Sequence, residues 1–257
     1  MQQDSIKNTL LVTGLLCIVC SVLVSGTAVG LREKQQTNIE LDQKKKILEV
    51  CGIDFESSSI DSVFQQNIQT RLVNLQTGEY VESTEIGGLN LQQYDLKKVL
   101  VSDGSDLTDD PAGLGGRREN YAKVFLYPSQ DQIILPIRGR GLWSTLWGYI
   151  VLSRDANTTH GITFYQHGET PGLGGEVDNP LWKAQWRGKQ AIQDGEIVLQ
   201  VMRYGKATDP SRQIDGLAGA TITTAGVDRL VRFWLGDQGF GLYLARPDKF
   251  TAEPTIQ

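Results

Sequence analysis

Residues 122–166 read AKVFLYPSQDQIILPIRGRGLWSTLWGYIVLSRDANTTHGITFYQ. Four runs in this stretch, 122–127, 132–137, 148–153 and 161–166, are rich in β-branched and aromatic residues. They are parted by turn formers such as Pro128-Ser129-Gln130-Asp131 and Asp155-Ala156-Asn157, the pattern of successive strands joined by short connections. Toward the N-terminus, 71–74 and 80–83 flank Gln76-Thr77-Gly78 as the two arms of a hairpin, and a further strand is expected at 196–202. Helical spacing is scarcer. Ile60, Val63, Phe64 and Ile68 follow a serine run with a potential cap, and Val227, Leu230, Val231, Trp234 and Leu235 share one face of a helix that Gly236 is placed to end. The expected fold class is α+β, a mainly antiparallel sheet with a few packed helices.

Before this domain, residues 10–31 contain no charge, enough to cross the hydrocarbon of a bilayer as one helix. A cleavable signal peptide is the competing reading, since Ser25-Gly26-Thr27-Ala28 offers small residues, but the apolar run is longer than a signal core. The organisation expected is a tail and transmembrane anchor at 1–32, a stalk helix or linker at 33–56, and a single domain at 57–257. Lys7 precedes the apolar run, whereas Arg32, Lys34 and Lys44-Lys45-Lys46 follow it, so loop charge alone would place the domain inside.

Composition removes several function classes. Lys and Arg total 25 against 30 Asp and Glu, a net charge of -5 that offers no basic face to nucleic acid. Cys17, Cys20 and Cys51 cannot build a disulfide framework or a four-ligand metal site, and His160 and His167 read as ordinary polar or pocket residues. No metal site is expected, and any iron–sulfur centre must lie on another chain. Residues 103–118, with Asp109-Asp110-Pro111-Ala112-Gly113-Leu114-Gly115-Gly116, read as a long surface loop. They lack the Gly-Lys-Ser/Thr ending of a phosphate-cradling loop.

Before the last helix comes Asp215-Gly216-Leu217-Ala218-Gly219-Ala220-Thr221-Ile222-Thr223-Thr224-Ala225-Gly226-Val227. Gly219 and Ala220 leave the Thr221 hydroxyl open to a phosphoryl donor, and a phosphate there would lie near the amino end of a helix, where unpaired N–H groups favour an anion. Thr and Gly before a helix are equally what a plain N-cap and turn look like.

This run is similar to the flavinylation motif, in which an Asp precedes a Ser/Thr-Gly-Ala-Thr element whose last Thr receives FMN. Ala218 stands where that element has Ser or Thr. Most of the chain resembles the C subunit of the Na+-translocating NADH:quinone reductase, including Arg32-Glu33-Lys34-Gln35, the stretch from Leu135-Pro136-Ile137 through Trp143, His167-Gly168-Glu169-Thr170-Pro171-Gly172-Leu173-Gly174, and Phe233-Trp234-Leu235-Gly236. The G subunit of the related ferredoxin electron-transport complex shares the Thr-Pro-Gly-Leu-Gly core and is the second resemblance. A non-redox, membrane-tethered assembly module is the alternative from another class.

The resemblance implies covalent FMN on Thr221, with Asp215, Gly219 and Ala220 as the rest of the motif, and a flavin transferase for maturation. Trp143, His167, Glu169, Thr170, Pro171, Gly172, Leu173, Gly174 and Lys206 are expected around the flavin ring. It further implies a single-pass protein of the bacterial inner membrane with its flavin domain on the periplasmic side, against the charge count. Its partners would be other subunits, among them one with an iron–sulfur centre and one with a second FMN. Electrons would be relayed from NADH towards ubiquinone with Na+ export, and NADH would be oxidised elsewhere, because no Gly-x-Gly-x-x-Gly turn follows a strand.

Overall fold

The structure, a computed structural model, describes residues 5–56, 58–81, 94 and 96–249. The chain divides into two units, residues 1–43 and 44–257. The first consists of most of α1 (Ile6–Cys51), a single helix of 46 residues that at 1.5 Å per residue is about 69 Å long. It carries a stretch long and apolar enough to cross a membrane, with none of that stretch buried. Within it, the Thr27 hydroxyl donates to the carbonyls of Leu23 and Val24, so this hydroxyl near the end of the apolar run is satisfied by its own helix.

In the second unit, the end of α1 leads to α2 (Ile60–Asn67), β1 (Gln69–Asn74), α3 (Leu96–Asp103), β2 (Gly104–Asp106), β3 (Arg117–Glu119), β4 (Tyr121–Tyr127), β5 (Gln132–Arg140), β6 (Thr145–Ser153) and β7 (Thr159–Gln166). There follow α4 (Pro180–Ala184), the two-residue strands β8 (Ile192–Gln193), β9 (Glu196–Ile197), β10 (Gln200–Val201) and β11 (Gln213–Ile214), then α5 (Thr221–Leu235) and α6 (Gly241–Leu244). The main sheet has the order β1-β4-β5-β6-β7 with every neighbouring pair antiparallel.

Strand β5 shows why the sequence makes a sheet with two covered faces. Ile133, Leu135 and Ile137 enter one cluster with Val227, Leu230, Val231 and Trp234 of α5. Ile134 points the other way and joins Ile47 and Leu48 of α1, Val63 and Phe64 of α2, and Tyr149 and Val151 of β6. A strand buried on both faces has no polar alternation to display, hence the run Ile133-Ile134-Leu135-Pro136-Ile137. Pro136 is tolerated because β4 pairs with β5 only as far as Ile134, so no β4 residue stands opposite the proline. Nearby, the buried Arg138 guanidinium pairs with buried Glu119 and lies 5.6 Å from the ring centroids of both Trp147 and Trp234.

The observed class agrees with the sequence reading, and several local readings need correction. The strand expected at 196–202 is two short strands. β9 turns back on β8 through Asp194 and Gly195, both at positive φ, while β10 runs parallel to β11. Residues 103–118 are not simply a surface loop. β2 and β3 pair across their base, and the Asp110 carboxylate accepts the amides of Leu114, Gly115 and Gly116, an internal clamp around the buried Ala112. Ser59 occupies the N-cap of α2 but makes no capping hydrogen bond. The first hairpin turns at Gly78, and Tyr80 bridges to Val73, but residues 82 and 83 of its expected second arm lie outside the described residues. Last, the C-terminal part of the expected stalk packs into the domain, where Ile47 and Leu48 are fully buried.

Candidate functional site

Helix α5 begins at Thr221, and its N-cap position is held by Ala220, which has no side-chain acceptor to offer. Ser, Thr, Asp or Asn there would satisfy one of the orphan first-turn amides, and Ala leaves them open. Thr221 is exposed. Gly219 reaches the helix at φ +70, a left-handed conformation suited to glycine, with Leu173 Cδ2 3.0 Å from where a Cβ would stand. The acceptor residue expected from sequence thus sits at an uncapped helix start beside the tip of the 167–175 turn.

That turn is built by its own sequence. The Thr170 carbonyl accepts the amides of Leu173 at 3.1 Å and Gly175 at 2.9 Å, and Pro171 followed by Gly172 at φ +76 is the pairing a type II turn asks for. Thr170, Pro171, Gly172 and Leu173 are exposed in consequence. His167 fixes the turn's other end: Nε2 lies 2.9 Å from Asp178 Oδ2, and Nδ1 accepts the Glu169 amide at 3.3 Å. The hydrogen bond to Asp178 is the main reason the His167 pKa is raised, against an opposing effect of burial.

Glu169 is the centre of the arrangement. It is 6% exposed. Its Oε1 accepts the amides of Trp143 at 2.9 Å and Ser144 at 3.1 Å, and its Oε2 accepts the amide of Leu142 at 3.2 Å and the Thr223 hydroxyl at 2.7 Å. Burial alone would raise its pKa, but the hydrogen bonds from Thr223, Trp143, Ser144 and Leu142 outweigh that and lower it, so the carboxylate is ionised. Gly141 and Gly174 make room: a Cβ on Gly141 would lie 2.6 Å from Oε1, and one on Gly174 would lie 2.6 Å from Thr223 Oγ1 and 2.7 Å from Oε2. One carboxylate therefore ties together the β5–β6 hairpin tip, the 167–175 turn and the first turn of α5.

The rest of the motif is structural. The Asp215 carboxylate accepts the amides of Lys206 at 3.2 Å and Ala207 at 3.4 Å, its carbonyl accepts Trp182 Nε1 at 2.9 Å, and its amide donates to Gln185 Oε1 at 2.9 Å. Thr224 Oγ1 accepts the Leu217 amide at 3.0 Å. The structure thus brings Trp143, His167, Glu169, Leu173 and Gly174 together with Gly219, Ala220 and Thr221. Lys206 is held beside Asp215 by its backbone, and its exposed side chain takes no part in the hydrogen bonds around Glu169.

Leu142, Ser144, Ile222 and Thr223 belong to this site and had no role assigned from the sequence. Thr223 is fully buried and Ile222 is 55% exposed. The hydroxyl-rich motif gave a hint of Thr223, but only the fold shows which hydroxyl turns inward. Leu142, Trp143, Leu173 and Ile222 are all exposed apolar side chains on the segments that meet at the start of α5, and exposed apolar groups gathered this way mark a candidate binding face.

Residues 141–236, which contain every residue of this site, match the family described as FMN-binding domain. The chain is 41% identical over 250 residues to the C subunit of the Na(+)-translocating NADH-quinone reductase of Vibrio campbellii, covering 95% of each chain. It is 42% identical over 253 residues to the C subunit of Pseudomonas aeruginosa, covering 95% of this chain and 96% of the relative. The crystal structure of Shewanella oneidensis NqrC superposes with a TM-score of 0.69 at 29% identity, covering 78% of this chain and 94% of that one. The C subunit from Parabacteroides distasonis gives 0.66 at 30% identity, covering 84% and 98%. The chain therefore belongs to the family of the Na(+)-translocating NADH-quinone reductase C subunits.

Proposed function

We propose that this chain carries FMN through a phosphoester on Thr221 and serves as a membrane-anchored electron-transfer subunit of a Na+-translocating NADH:quinone reductase. The observation that carries the reading is the uncapped start of α5: an exposed hydroxyl at its first residue, an alanine at its N-cap, and first-turn amides without a side-chain acceptor. A phosphate on Thr221 supplies the anion that such a helix start favours.

Bound FMN supplies reversible acceptance and donation of electrons. The chain's own residues hold it: Thr221 bears the phosphate, and Leu142, Trp143, Leu173 and Ile222 offer apolar faces to the ring. The role requires no acid, base or nucleophile from this chain. Electrons arrive from an iron–sulfur centre on another subunit and leave to a subunit with a second FMN, and their passage towards ubiquinone drives Na+ export. A flavin transferase attaches the cofactor. The anchor crosses the inner membrane once, with the flavin domain on the periplasmic side, and protease digestion of right-side-out but not inverted vesicles is the expected result.

The test of attachment is flavin fluorescence in a denaturing gel after co-expression with a flavin transferase. Wild type gives a fluorescent band and Thr221→Val a dark one. A dark wild-type band, or a bright Thr221→Val band, overturns the proposal.

A further inference from the structure

We infer that Glu169 is the positioning residue of the flavin acceptor: by holding Thr223 inward, it sets the rotation of α5 that turns the Thr221 hydroxyl outward. The inference rests on the reading of Thr221 as the acceptor and goes beyond it, because Glu169 was expected only as a residue beside the ring.

The geometry follows from the helix. Successive side chains are about 100° apart around the axis, so residues two apart point to roughly opposite sides. Thr223 is 0% exposed, with its hydroxyl on Glu169 Oε2 at 2.7 Å. Thr221, two residues earlier, is thereby presented to solvent. Because the same carboxylate holds the amides of Leu142, Trp143 and Ser144, the helix start is locked to the hairpin tip that carries Trp143.

The chemistry of Glu169 argues that this lock is more than packing. Among the described residues it forms no ion pair, and the donors that hold its carboxylate, three amides and the hydroxyls of Thr223 and Ser144, are neutral. Burying an unpaired carboxylate costs free energy that an apolar side chain would avoid. What a carboxylate offers in return is several acceptor sites in a fixed plane, enough to hold the hairpin-tip amides and the Thr223 hydroxyl at once.

The step served is a group transfer without electron transfer. FMN is a phosphomonoester, so the donor must be activated, as in a flavin-nucleotide pyrophosphate. Thr221 Oγ1 forms a bond to the FMN phosphorus, the P–O bond to the nucleoside monophosphate breaks, that monophosphate leaves, and the hydroxyl proton passes to the transferase. Such an attack needs the hydroxyl at a defined angle to the transferase, and the Glu169–Thr223 bond defines it.

The experiment is the initial rate of flavin incorporation into purified full-length chain by a flavin transferase. The proteins compared are wild type, Thr221→Val, Glu169→Ala, Thr223→Val, Thr223→Ser, the double variant Glu169→Ala/Thr223→Val, and Leu75→Ala. Leu75 is fully buried in the core and is not one of the site's residues, so Leu75→Ala reports the effect of lost stability alone. Glu169→Ala and Thr223→Val are expected to slow incorporation about tenfold or more. Thr223→Ser, which keeps the hydroxyl, stays within about twofold of wild type, the double variant is no slower than the slower single one, and Leu75→Ala keeps the wild-type rate when folded. Wild-type rates in Glu169→Ala and Thr223→Val with a dark Thr221→Val overturn the positioning role alone, as does Thr223→Ser as slow as Thr223→Val, or Leu75→Ala as slow as Glu169→Ala. A bright Thr221→Val overturns the acceptor reading itself.

Discussion

Replacing Gly174 by alanine puts one methyl group into the tightest part of the site. Its carbon would lie 2.6 Å from Thr223 Oγ1 and 2.7 Å from Glu169 Oε2, two atoms that are themselves hydrogen-bonded at 2.7 Å. Both belong to buried residues held by other contacts, so neither can swing aside at little cost. Overpacking of this kind costs about 1–3 kcal/mol, and weakening a buried hydrogen bond to a charged group adds roughly 1–2 kcal/mol. A total of about 2–5 kcal/mol lowers the midpoint of a domain of this size by roughly 4–20 °C. Gly172→Ala is the informative comparison: at φ +76 it is strained, but its Cβ meets nothing within 4 Å. Its cost should stay at about 1–2 kcal/mol, the ordinary penalty for a left-handed non-glycine residue. Thermal denaturation of the two variants in detergent tests this reasoning, and a Gly174→Ala protein as stable as Gly172→Ala refutes the packing argument at Glu169.

Other expectations follow from single contacts. Flavin loading should cap α5 and raise the denaturation free energy of the domain by about 0.5–2 kcal/mol over the flavin-free chain, measured by denaturant titration. Asp110→Asn should destabilise by about 1–2 kcal/mol, because a carboxylate accepting three amides is replaced by a weaker acceptor with a misplaced donor. Since the pKa values of Asp110 and Glu169 are lowered, their stabilisation is present above the unfolded carboxylate pKa and is lost as pH falls through the depressed folded values. The acid limb of stability against pH should therefore flatten in Asp110→Asn. For His167 the sign is opposite: with a raised pKa, its stabilising effect is full below 6.5 and fades as pH rises through the folded value. Asp178→Asn should weaken that dependence in a stability–pH curve, leaving only the smaller effect of the Glu169 charge.

The sequence carried the sheet and the last helix clearly because each has a pattern that burial enforces. Strands 132–137 and 148–153 are apolar since both faces of β5 and β6 are covered, and the α5 stripe repeats every three or four residues against that sheet. It said less about residues 103–118, where order comes from Asp110 gripping three amides rather than from apolar side chains, a signal that composition cannot show. The end of the stalk was misleading for a related reason. Ile47 and Leu48 look like scattered apolar positions in a charged segment until Val63 and Phe64, later in the chain, supply their partners.

At the site, Thr221, Gly219 and the 167–174 turn could be picked out because small residues and hydroxyls cluster there. The roles within the cluster could not, since they depend on rotation about the α5 axis. Thr221 and Thr223 are the same residue type two positions apart, yet one is exposed and the other is sealed against Glu169. Lys206 illustrates the converse: expected beside the flavin ring from the resemblance, it is placed by its amide on Asp215 with its side chain exposed.

The most direct test of the central claim is peptide mass spectrometry of the full-length chain purified from cells that make a flavin transferase. The account predicts one peptide, containing Thr221, that carries FMN as a phosphoester, with fragment ions placing the adduct on Thr221 rather than Thr223 or Thr224. An unmodified Thr221 peptide, or an adduct on another residue, would contradict it.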